Sequence, residues 1–91
     1  MNDENEAIQA ILYVLKDEIM RIIIRYCKEP HSSSEIINKV SAAKEADLHE
    51  YEAIVGDKLR TLEKAGAILY NQGVWRTNAI TLGVLKKYFG E

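Results

Sequence analysis

Few residues in this chain of 91 are of types and spacings that could do covalent chemistry. Ser32, Ser33 and Ser34 follow His31 directly, but no Gly-x-Ser-x-Gly turn surrounds them, and His31 is too close in sequence to serve as a positioned base. They read as capping and turn residues. Metal binding needs a cluster of thiolates or imidazoles, for which the chain offers Cys27, His31 and His49. Pro30 lies between Cys27 and His31, so these two cannot share a helix face. Glu4, Glu6, Asp17 and Glu18 fall at or near helix starts, where they favour the helix dipole, so paired-carboxylate catalysis finds no support. A glycine-rich phosphate loop is missing as well. The expectation is a chain with no catalytic residues, no metal site and no cofactor.

What remains is binding chemistry on one helix face. His49, Glu50, Ala53, Gly56, Asp57, Arg60 and Lys64 recur at helical spacing opposite an apolar stripe. Arg60 and Lys64 can reach phosphates or base edges, and Ala53 and Gly56 are small enough for the backbone to approach a groove. Glu50 and Asp57 would meet phosphates unfavourably, although an acid can accept from cytosine N4. Gly56 in mid-helix costs about 1 kcal/mol against alanine. Either close packing on a neighbouring helix or close approach of a ligand would account for it.

Composition bounds the rest. The hydrophobic set makes up 47% and charged residues 29%, which excludes a disordered tail, a collagen-like repeat and a membrane bundle. Ninety-one residues suit one domain, expected over 1–91. The longest apolar run, Ala10 to Leu15, is six residues against the roughly 18 of a spanning helix, so no membrane partner is expected. Asp3, Glu4 and Glu6 stand where a secretory signal carries bases, and Cys27 is the one cysteine; both point to a cytoplasmic location. Net charge is −2, unevenly spread: residues 67–91 hold three bases and one acid, a net +2, leaving −4 for the rest.

The elements that must position the binding face are marked by periodicity and caps. Apolar residues predict a helix over 4–15, their arc covering roughly 200° where one core contact needs only somewhat more than 100°. Asp17 offers an N-cap for a second helix over 18–28, although periodicity leaves open whether the chain breaks near Lys16; Pro30 ends it. Ser32 and Glu35 form a capping box for 33–42, and Asp47 and Glu50 repeat that logic for 48–65, where Leu48, Tyr51, Val55, Leu59 and Leu62 form the inward stripe. Gly66 sits where a C-terminal glycine cap belongs. The period then changes: 67–77 reads as a β-hairpin around the loop Asn71-Gln72-Gly73, with a third short strand expected near His31. Trp75 either packs on the core or touches nucleic acid. A last helix over 79–89 again carries a broad apolar arc.

Helices in this order followed by a hairpin describe an α+β winged helix-turn-helix, mostly helical, with four to five helices. Lys58 to Ile68, with Leu59, Leu62 and the corner Glu63-Lys64-Ala65-Gly66, resembles the end of the recognition helix in ArsR/MarR-type transcriptional regulators. Leu15 to Ile23 resembles their first core helix, and Ser34-Glu35-Ile36 the start of their second. The resemblance implies a sequence-specific regulator binding double-stranded DNA, with Lys44, Asn71, Gln72 and Arg76 adding to the recognition face and the small-molecule effector, if any, unknown. The alternative is a winged-helix protein-interaction module. The two broad arcs call for a cover, since monomers rarely leave such patches in water. A homodimer through Ile8, Ile11, Leu12, Val84, Leu85, Tyr88 and Phe89 would supply it; packing of the terminal helices on each other within one chain is the other solution.

Overall fold

A computed structural model of the chain describes residues 3–90; residues 1, 2 and 91, the ends of the expected domain, lie outside them. The order is α1 (Asp3–Val14), α2 (Glu18–Tyr26), α3 (Ser33–Ala43), α4 (Leu48–Lys64), β1 (Ile68–Asn71), β2 (Val74–Thr77) and α5 (Ala79–Phe89). This is the expected α+β winged helix-turn-helix, with five helices and an antiparallel hairpin. Among the described residues no helix is long and apolar enough to cross a membrane.

The chain does break near Lys16. After Val14, two tighter turns close at Lys16 and Asp17, and the Asp17 side chain accepts the Met20 N–H at 3.0 Å to start α2. Arg21 donates to the Leu15 carbonyl at 2.6 Å and lies 5.4 Å from the centre of the Phe89 ring, so one guanidinium joins the end of α1, the first turn of α2 and the end of α5. Asp17 also accepts from Lys58, tying the start of α2 to α4. Burial raises the Asp17 pKa, but Lys58 and the N–H groups of Met20 and Ile19 outweigh it and hold the carboxyl below its usual 3.8. Because the folded pKa is depressed, this stabilisation is complete above the unfolded value near 3.8 and disappears as pH falls through the lower folded value. Asp17→Asn keeps the cap and loses the ion pair, so it should cost about 1 kcal/mol or less at neutral pH and flatten the acid limb of stability. Urea midpoints measured from pH 7 to 2 check this; an unchanged acid limb would refute it.

The capping box at Ser32 and Glu35 forms in full. Its repeat at α4 does not: the shorter Asp47 side chain takes the His49 N–H at 2.9 Å, and no return bond from Glu50 is found among the described residues. Val55, Leu59 and Leu62 point inward as expected, but Leu48, the first residue of α4, is 45% exposed. At the other end Gly66 adopts φ +76°, and the Ala67 N–H reaches back to the Leu62 carbonyl at 2.9 Å, a Schellman closure that aims the chain into β1.

The hairpin turn is one residue shorter than the sequence suggests. Asn71 pairs with Val74 inside the ladder, and Gln72 and Gly73 alone turn, both at positive φ (50° and 84°), as a type I′ turn requires. The expected third strand is a single bridge: His31 and Trp75 exchange both backbone bonds, at 3.1 and 2.7 Å. Trp75 is buried and its indole N–H donates to the Ser33 hydroxyl at 3.0 Å, so its role is to pin the wing to α3. Thr77 Oγ1 donates to the Ile24 carbonyl, fixing the base of β2 on α2. Asn78 caps α5 and bonds the Gly66 carbonyl, joining both ends of the hairpin.

Candidate nucleic-acid interface

Helix α4 is held through one stripe, and the opposite stripe faces outward with no element over it. His49, Glu50, Ala53, Asp57, Arg60 and Lys64 are exposed, and Gly56 is half-buried between them. A Cβ on Gly56 would meet only the Arg60 guanidinium, 3.9 Å away on the same helix. Close packing on a neighbouring helix therefore does not account for this glycine. Arg60 itself bonds Asp57 one turn back, and His49 lies 3.8 Å from Glu52. Exposed acids on α4 (Glu50, Glu52, Asp57, Glu63) outnumber the bases Arg60 and Lys64, and Ile54 and Leu48 add apolar surface.

The remaining candidates divide. Lys44, expected on the recognition face, instead caps the end of α3, and its ammonium pairs with Glu18 at the start of α2. Asn71, Gln72 and Arg76 are exposed on the wing. Arg76 stands opposite Leu69 on the outer face of the hairpin, and neither it nor Lys64 meets a carboxylate among the described residues. Leu69 and Tyr70, both more than half exposed, lie on the same strand and escaped the sequence reading, since alternation in a four-residue strand does not tell which face is covered.

The expected dimer surface is corrected by the packing. Ile11, Val84 and Leu85 are 1%, 5% and 1% exposed within the single chain, because α1 and α5 lie against each other and complete the core there. Ile8, Leu12 and Phe89 are partly buried on the same cluster. Of the seven, only Tyr88 is largely exposed; with Ile80, Gly83, Lys87 and the edge of Ile8 it rims a shallow groove of about 250 Å³. Broad arcs thus arise in part from helices that serve two neighbours in one chain.

Cys27 is fully buried and desolvation pushes its thiol up to about 12, which makes it a packing residue and not a nucleophile. The fold is a winged-helix layout in which the outer face of α4 is exposed. The chain matches no family model, no curated protein and no solved structure.

Proposed function

We propose that this protein is a cytoplasmic, sequence-specific DNA-binding regulator that acts as a homodimer, with α4 in the major groove and the hairpin beside it. The observation that carries the reading is Gly56. A helix-interior glycine costs about 1 kcal/mol, and here only the Arg60 guanidinium of the same helix comes within 4 Å of the space it leaves. Close approach of a groove wall or sugar-phosphate backbone is a use for that space. Lys64 and, on the wing, Arg76 supply phosphate contacts, while Arg60 is held by Asp57. A second copy seated on the groove rimmed by Ile80 and Tyr88 would place two α4 helices on one duplex.

Gly56→Ala separates fold from function. The methyl group meets no steric obstacle in the chain, so stability should rise by roughly 0.5–1 kcal/mol. Affinity for duplex should fall by about tenfold, as expected for roughly 1.4 kcal/mol of lost approach. Thermal unfolding and anisotropy with labelled duplex measure the two. Absence of wild-type binding at low salt would overturn the reading.

The acid-rich outer face with exposed Leu48 and Ile54 favours a second reading, a module that binds a protein. Glu50→Gln discriminates: it removes repulsion from a phosphate backbone and strengthens DNA binding, whereas it weakens a protein partner that uses the carboxylate.

A further inference from the structure

The outer face of the hairpin carries apolar surface that the core does not use. Leu69 is 57% exposed and stands opposite Arg76 across the two strands. Two hollows, of about 310 and 370 Å³, meet at this pair. The first runs from it to Lys28, just after α2, and to Leu82, half-buried on α5; the second runs to Pro30 and the wing tip. Together they make one groove to which α4 contributes no residue. Two bases, Lys28 and Arg76, line it and, among the described residues, no acid does, although the chain as a whole is net negative. Glu29, next in sequence to Lys28, lines the cavity between α2 and α3 instead. Neither base meets a carboxylate among the described residues.

We propose that this groove docks a short acidic segment of a partner protein, with leucine-like residues set among its carboxylates. Charge complementarity selects the acids: Lys28 and Arg76 place two positive charges beside apolar surface, and a docked segment excludes water there, which strengthens a charge-assisted bond. The apolar part selects protein over a phosphate backbone. Leu69, Leu82 and Pro30 offer nothing to a phosphate oxygen, whereas burying a leucine side chain against them removes apolar area from water. Local periodicity could not reveal the groove, since Lys28 follows a helix, Leu69 and Arg76 sit on two strands and Leu82 on the last helix. Arg76 is also a phosphate contact in the DNA-binding reading, but Lys28 and Leu82 are not, so this inference stands whether or not α4 enters a duplex.

The test titrates the peptide acetyl-Glu-Glu-Leu-Asp-Asp-Leu-Glu-Glu-amide into the full chain and follows its amide and methyl resonances. Saturable shifts centred on Leu69, Arg76 and Leu82 are expected. Lys28→Gln and Arg76→Gln should each weaken binding about tenfold, the loss of one charge-assisted contact. Both side chains are exposed, so these variants keep the fold. Two control peptides, one with Gln and Asn for every acid and one with Ser for both leucines, should each bind at least about tenfold more weakly. No saturable shift up to about 5 mM, shifts centred elsewhere, or equal binding of either control would each overturn the proposal. The first two would mean no site here, and the controls an apolar crevice or a merely cationic surface. Shifts at Lys28 and Leu82 with a mixed-sequence duplex and none with the peptide would also overturn it, and would give the groove to nucleic acid.

Discussion

Leu85→Ala is expected to destabilise the chain by about 2–5 kcal/mol, the cost of emptying a fully buried leucine site. A domain of this size has roughly 5–14 kcal/mol in total, and each kcal/mol moves the melting temperature by about 4–8 °C. The melting temperature should therefore fall by roughly 10 °C or more. Ile11→Ala should behave alike, and Leu85→Glu, which adds an unpaired buried charge, should leave no cooperative transition. Tyr88→Ala and Ile80→Glu make the contrast. Both side chains are about half exposed, so stability at high dilution should change by no more than about 0.5 kcal/mol, while the proposed association through that groove should be lost. Melting curves at two protein concentrations and sedimentation distinguish the outcomes. A Leu85→Ala chain that stayed folded, unshifted and monomeric would return Leu85 to an intersubunit surface.

Salt provides the second large effect. With Arg60 bonded to Asp57, the phosphate contacts that the proposed DNA-bound homodimer leaves open are Lys64 and Arg76, four in all. At about −0.9 per contact the log–log slope is about −3.6, and raising salt fourfold, from about 50 to 200 mM, should weaken binding roughly 150-fold. Asp57→Asn releases Arg60 and removes a repelling charge. Six contacts then steepen the slope to about −5.4, so the same change in salt costs roughly 1,800-fold. At low salt the variant should bind more tightly than wild type. Anisotropy titrations over a salt series read both slopes; identical slopes would show that Arg60 never reaches the backbone, and a slope near zero would remove phosphate contact from the mechanism.

The parts of the fold legible in the residues are those set by short-range chemistry. Ser32 with Glu35, Asp17 before α2, Pro30 after it and Gly66 after α4 each act within four residues through a cap, a forbidden conformation or a positive φ, and each marked a true boundary. The hairpin was legible for the same reason, down to the His31 bridge, although the turn closed on Gln72 and Gly73 alone because positive φ at both satisfies the strand twist.

Within the candidate site, the outward set on α4 followed from helical period, as did Val55, Leu59 and Leu62 beneath it. Leu48, at the first position of α4, broke the pattern, since helical period assigns a face and not how far along the helix a neighbour covers it. By itself, then, the sequence determined the order of elements, their caps and the period of each face, since these arise from interactions between near neighbours. Only the tertiary structure decided that Ile11 and Leu85 cover each other's helices within one chain, that Lys44 is taken by Glu18 and Lys58 by Asp17, and that Lys28, Leu69 and Leu82 line one groove. Apolar burial has no direction and an ion pair needs only proximity, so which partner satisfies a given side chain is settled by how the helices pack.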